Sequence, residues 1–135
     1  MLLAKDVMST EPMTVRENAK IKDLIRLLVE HRITGLPVVS EDMRLLGIVT
    51  EKDVLKMLYN RNAKVKTAAD LMTGDIEYFD ENDSLLEVFK CLVENSFRRV
   101  PVLSAGKLVG IISRADIIKF LSEKATKSAQ TESED

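Results

Sequence analysis

The sequence predicts an α+β fold: two tandem β-α-β-β-α repeats packed sheet to sheet with pseudo-two-fold symmetry. Three observations carry this expectation. A repeat runs nearly end to end, apolar residues recur at helical spacing at matching places in both copies, and short apolar runs flank polar turns in pairs.

The repeat is clearest in GIVTEKDVLKML (47–58) and GIISRADIIKFL (110–121), where five of twelve positions are identical and five more exchange like for like. Upstream, AKDVMS (4–9) matches AADLMT (68–73) and TGLPVV (34–39) matches RRVPVL (98–103), both at an offset of 64. From Gly47 and Gly110 the offset is 63, so the second copy lacks one residue between its proline and its glycine. A hairpin turn tolerates such a loss. A self-similar period of this length marks one supersecondary unit written more than once.

Each element follows in order. A short extended piece, MTV or EYF, opens each copy. Ile21, Leu24, Ile25, Leu28 and Val29 then fall at i, i+3, i+4, i+7 and i+8, as do Leu85, Val88, Phe89, Leu92 and Val93. That spacing is one buried stripe of an amphipathic helix. Asn18 in the first copy, and Asn82 or Asp83 in the second, are candidate N-caps. LPVV and VPVL read as strands whose proline points to a strand start or an edge. The turns SEDMR and SAGK, followed by LLGIV and LVGII, complete hairpins. EKDVLKMLY and RADIIKFL are the closing helices. Each copy is too short to be comfortably stable alone, which is why the sheets should pack together. The expected boundaries are repeat 1 with its connection at 1–64, repeat 2 at 65–121, and a polar, mobile tail at 122–135. Residues 59–67 form the connection.

Composition narrows the function classes. Lys+Arg number 20 against 22 Asp+Glu, a net charge of −2, which argues against nucleic-acid binding through a broad basic surface. No apolar run approaches the length of a membrane span, and MLLAKDVMST is not a signal peptide. The single cysteine, Cys91, leans towards a reducing, cytoplasmic setting. With one histidine, His31, neither a catalytic triad nor a zinc site can be assembled, and His31 reads as a helix C-terminal residue. Both common phosphate-loop motifs are absent, so the chain is not expected to be an enzyme and no metal is expected. Cys91, Met8, Met57 and Met72 read as packing residues.

Two clusters are candidates for chemistry. Thr50-Glu-Lys-Asp53 and Ser113-Arg-Ala-Asp116 have the spacing of a helix capping box. The same pattern suits a ligand, because a helix N-terminus favours anions and an aspartate accepts two hydrogen bonds from a ribose diol. Both readings stay open from the residues alone. Arg98 and Arg99 precede a strand, so one should point inward, where a guanidinium suits bidentate phosphate contact. Arg114 is a third such candidate.

Taken together, the D-x-M openings (Asp6 to Met8, Asp70 to Met72), the h-P-V strands and the two G-h-h-[S/T]-x-x-D endings resemble a tandem cystathionine-β-synthase (CBS) domain pair, or Bateman module, over about residues 4–121. The resemblance implies a regulatory binding module holding an adenosine-containing ligand (AMP, ADP, ATP, S-adenosylmethionine or NAD) in clefts between the copies. It implies ribose contacts at Asp53 and Asp116, with Thr50 and Ser113 at the hydroxyl position. Arg98 and Arg99 fall at the phosphate-facing position, where the first copy instead has Thr34 and Gly35. The base should lie near residues 13–15 (Met13, Thr14) or 76–79 (Ile76, Tyr78), beside Val38 and Val102 of the h-P-V strands. An adenine nucleotide, a homodimer and a separate client protein are the partners so implied. A ligand-free dimerising scaffold and a small nucleic-acid-binding module using Arg98, Arg99 and Arg114 are the alternatives.

Overall fold

The structure, a computed structural model, describes residues 1–61 and 64–134, with side chains to residue 125. Residues 62 and 63 of the expected connection, and residue 135, lie outside the described residues. The elements are β1 (Ser9–Thr10), β2 (Val15–Arg16), α1 (Ile21–Glu30), β3 (Gly35–Val39), β4 (Leu45–Thr50), α2 (Glu51–Asn60), α3 (Ala68–Leu71), β5 (Phe79–Asp80), α4 (Leu85–Glu94), β6 (Arg99–Ser104), β7 (Lys107–Ser113) and α5 (Arg114–Glu134). A 3-10 turn, Ala4–Asp6, precedes β1. The fold is mixed α+β, with a four-stranded sheet ordered β1-β7-β6-β5 and a three-stranded sheet ordered β2-β3-β4.

Two compact units form, and each draws on both repeats. Unit 1 joins Met1–Pro12 to Tyr78–Ala105 and Val109–Asp135; unit 2 joins Met13–Glu77 to Gly106–Leu108. In unit 1 the core is Ala4, Leu85, Val88, Leu92, Val100, Val102, Ile112 and Ile117, with Met8, Cys91 and others packed against it. In unit 2 it is Val15, Leu24, Leu28, Leu36, Val38, Val49, Val54 and Ala68, with Met57 and Met72 alongside. The methionines pack where the periodicity places them, and so do the helical stripes except for their last members, Val29 and Val93, which are exposed.

The opening segment of each repeat seats itself on a glycine. In unit 1, β1 pairs antiparallel with β7, Thr10 opposite Gly110. A Cβ at Gly110 would lie 2.5 Å from Met8 Sδ and 2.9 Å from the Ser9 carbonyl oxygen. In unit 2 the Ile48 and Thr73 main chains exchange hydrogen bonds of 3.0 and 2.9 Å. There a Cβ at Gly47 would lie 2.7 Å from the Thr73 carbonyl oxygen and 2.8 Å from Met72 Sδ. The methionine of D-x-M and the glycine of G-h-h are thus two halves of one contact.

The aspartate of D-x-M holds that segment in shape. Asp6 Oδ2 accepts from the Leu3 N–H at 2.7 Å, and Asp70 Oδ2 accepts from the N–H groups of Lys66 at 3.0 Å and Thr67 at 3.1 Å. Those N–H groups, Lys66 first, hold the Asp70 carboxyl below the usual carboxylate range. A depressed folded-state value means the contribution is complete above the unfolded value and disappears as pH falls through the folded one. Asp70→Asn should therefore melt below wild type at neutral pH, and the difference should close below about pH 4. Chemical denaturation of both proteins across that range checks the expectation.

Four local expectations need correction. The helix caps are Lys20 for α1 and Ser84 for α4, whose Oγ accepts from the Leu86 N–H; Asn18, Asn82 and Asp83 are not the caps. The opening strands are shifted to Val15–Arg16 and Phe79–Asp80. The prolines lie in inner strands, not at edges: β3 sits between β2 and β4, and β6 between β7 and β5. Ile48 spends its N–H and carbonyl on Thr73, so Pro37, its partner in β3, turns its nitrogen away from β4. β2 pairs with β3 only from Val38 onward, so no strand asks Pro37 for a donor. Pro101 likewise precedes Val102, where pairing with β5 begins. Finally, the closing helix does not stop near Leu121 but runs to Glu134.

Candidate functional site

Each hairpin delivers its last strand directly into a helix, and the capping expectation is met at both corners. In unit 2, Asp53 Oδ2 accepts from the Thr50 N–H at 2.8 Å and from Thr50 Oγ1 at 2.9 Å, while the Asp53 N–H donates to Thr50 Oγ1 at 3.3 Å. In unit 1, Asp116 Oδ2 accepts from the Ser113 N–H at 2.9 Å, and the Asp116 N–H donates to Ser113 Oγ at 3.0 Å. Thr50, Asp53, Ser113 and Asp116 are all half-buried.

Capping leaves acceptor capacity unused. Among the described residues, Asp53 Oδ1 receives no hydrogen bond. Asp116 Oδ1 receives one, from Ser9 Oγ at 3.2 Å. Ser9 was not singled out by sequence reasoning, although the signal was there: the repeat sets a hydroxyl after the methionine in both copies, Ser9 and Thr73. The corner can therefore accept hydrogen bonds from a diol at the aspartate and receive an anion at the helix N-terminus.

The arginines divide. Arg98 is exposed and Arg99 half-buried, so Arg99 is the inward member of the pair. Arg99 Nε is buried with no hydrogen-bond partner. The Arg114 N–H donates to the Arg98 carbonyl at 3.0 Å, as the Glu51 N–H does to the Thr34 carbonyl. In unit 2 that bond accompanies Gly35 opposite Thr50. The same register sets Arg99 opposite Ser113, where cross-strand side chains share a face. The Arg114 side chain is engaged elsewhere, since its Nη2 donates to the carbonyls of Leu92 at 3.4 Å and Asn95 at 3.1 Å and closes the end of α4.

The remaining candidates are scattered. Thr34 contributes its carbonyl to the corner. Met13, Thr14 and Ile76 belong to unit 2, Met13 being exposed and the other two half-buried, while the exposed Tyr78 belongs to unit 1. Val38 and Val102 are fully buried in the two cores. His31 is the C-cap residue of α1, its N–H donating to Leu27. Among the described residues there is no group of three or more His, Cys, Asp or Glu placed to hold a metal ion. No helix among them is long and apolar enough to cross a membrane.

A family profile of the CBS domain matches residues 4–60 and again 68–123. The chain belongs to the CBS-domain family. It is a tandem CBS pair, and the solved structures it resembles are CBS pairs too. CBSX2 in complex with AMP superposes with a TM-score of 0.84 at 30% identity, covering 93% of this chain and 99% of that one. The CBS domain pair of MJ0100, in complex with 5-methylthioadenosine and S-adenosyl-L-methionine, gives a TM-score of 0.76 at 30% identity, covering 92% and 98%. Hypoxic response protein 1 of Mycobacterium tuberculosis is 34% identical over 127 residues, 93% of this chain and 89% of that protein. The chain spans only 46% and 38% of the length of two further relatives, from Methanocaldococcus jannaschii and Thermofilum pendens.

Proposed function

We propose that this CBS pair is a non-catalytic regulatory module that binds an adenine nucleotide, AMP, ADP or ATP, at its strand-to-helix corners. The observation that carries the reading is the aspartate of each corner, which caps its helix through one oxygen and keeps acceptor capacity on the other. The AMP complex of CBSX2 supports the ligand class. The MJ0100 complex supports a second reading, S-adenosylmethionine or a related thioether nucleoside. Arg99 favours the first, since a sulfonium gains nothing from a neighbouring guanidinium. NAD fits less directly, and helix capping alone would suffice in a ligand-free scaffold. A nucleic-acid role loses Arg114, whose guanidinium is engaged by the end of α4.

In this reading the ribose donates to Asp53 or Asp116, the phosphate meets the helix N-terminus, and Thr50 or Ser113 orients the first turn. Regulation follows only if the nucleotide binds two conformations of the module, or of its homodimer, with different affinity, and a client protein reads the difference. Hydrogen exchange tests the site: saturating AMP should slow exchange at the amides of residues 51–53 or 114–116. Unchanged protection at both corners would contradict the proposal.

A further inference from the structure

The two corners agree in their capping contacts and differ in the hydroxyl that reaches the aspartate. At Asp53 that hydroxyl is Thr50 Oγ1, which donates to Oδ2, the oxygen already in the cap, and Oδ1 stays open. At Asp116 it is Ser9 Oγ, 107 positions away, and it donates to Oδ1, the oxygen the cap leaves over. Ser9 is exposed, so its hydroxyl meets Oδ1 from the side open to solvent, which is the side a ligand must use. The counterpart of Ser9 in the second repeat, Thr73, makes only main-chain hydrogen bonds among the described residues.

The segment that carries Ser9 is weakly held. β1 is two residues long and lies at the edge of its sheet, paired only with β7. Glu11, directly after it, has a φ of 54°, a left-handed backbone that costs an L side chain energy, and its counterpart Asp75 has no positive φ. At Met13 the chain passes from unit 1 into unit 2. Short pairing, exposure and local strain mark the part of a structure where opening is easiest.

Resting on the adenine-nucleotide reading, we infer that Ser9 holds the place of a ribose hydroxyl on Asp116, and that a nucleotide enters the unit 1 corner by displacing it. The incoming hydroxyl takes over Oδ1, Ser9 turns to water, and β1 loses the side-chain bond that ties it to α5. Residues 9–11 loosen as the site fills, so occupancy is reported on a segment outside the site. The unit 2 corner has no such latch and fills without it.

NMR titration of the whole chain with AMP tests this, each corner being read by its own amides. Ser9→Ala removes the competing donor, so the affinity reported by residues 114–116 should rise about two- to tenfold, the scale of one net hydrogen bond. Residues 51–53 should report the wild-type affinity, and Ser9→Thr, which keeps the hydroxyl, should bind as wild type at both corners. Amide exchange gives a second readout that needs no variant: saturating AMP should quicken exchange at residues 9–11 while slowing it at 114–116. An affinity at residues 114–116 that Ser9→Ala leaves unchanged or lowers would overturn the inference. So would exchange at residues 9–11 that AMP slows or leaves unmoved, or an AMP response confined to residues 51–53 in both wild type and Ser9→Ala. Each of these outcomes leaves the nucleotide reading standing; no AMP response at either corner defeats that reading as well.

Discussion

Gly47→Ala should destabilise the chain by about 1–3 kcal/mol, the usual scale for forcing one methyl into a filled site. The conflict is with main chain. The new Cβ would sit 2.7 Å from the Thr73 carbonyl oxygen, on a residue locked to Ile48 by two hydrogen bonds. Met72 Sδ, at 2.8 Å, can move by changing rotamer, but the carbonyl cannot move without breaking that pairing. Gly110→Ala should cost a similar amount, since Met8 and the Ser9 carbonyl stand in the same relation to it. Urea unfolding of each variant measures the effect. A loss below about 0.5 kcal/mol, the scatter of ordinary surface substitutions, would mean the methionine–glycine contact does not hold the opening segments.

Asp116→Ala is the larger functional lesion. Without ligand it removes the carboxylate that accepts from the Ser113 N–H and from Ser9 Oγ. Asp116 is the reciprocal partner of the capping box and the N-cap, Ser113, stays in place, so the cost should lie toward the low end of the about 0.5–2 kcal/mol for losing the cap itself. With ligand it removes the acceptor for the ribose diol, and hydrogen bonds to a charged group contribute about 1.5–3 kcal/mol each. A nucleotide that binds wild type should therefore bind Asp116→Ala weaker by a factor of ten to several hundred, while the unliganded variant stays folded. Asp53→Ala should cost a comparable cap, through Thr50. A variant that loses stability but keeps its nucleotide affinity would reduce the corner to a helix cap.

How much of this was legible beforehand depends on the range of the interaction. The helical stripes, the hairpins and both capping boxes are local patterns, and residues three or four apart report them directly. Partners far apart in sequence are not so reported. Nothing in the period of Ser9 and Thr10 says that they pair with Ile111 and Gly110, or that Ser9 reaches an aspartate 107 positions away. Pro37 misled because the rule about proline concerns its missing donor, and which neighbour would need that donor depends on a two-residue strand too short to read. Arg114 looked like a phosphate contact from its place at a helix start, yet the end of α4 lies within its reach. For the arginine pair, alternation says that one member points inward; only the burial in the folded chain shows that it is Arg99.

The most direct test of the central claim is thermal unfolding of wild type and Asp116→Ala, each with and without AMP. At about 100 times its dissociation constant AMP should stabilise wild type by about 2.7 kcal/mol. For a chain of this size that is a rise of several degrees, and Asp116→Ala, binding AMP at least about tenfold weaker, should show at most about half of it. A wild-type melting temperature that AMP, ADP and ATP all leave unmoved, or an equal rise in Asp116→Ala, would contradict the account.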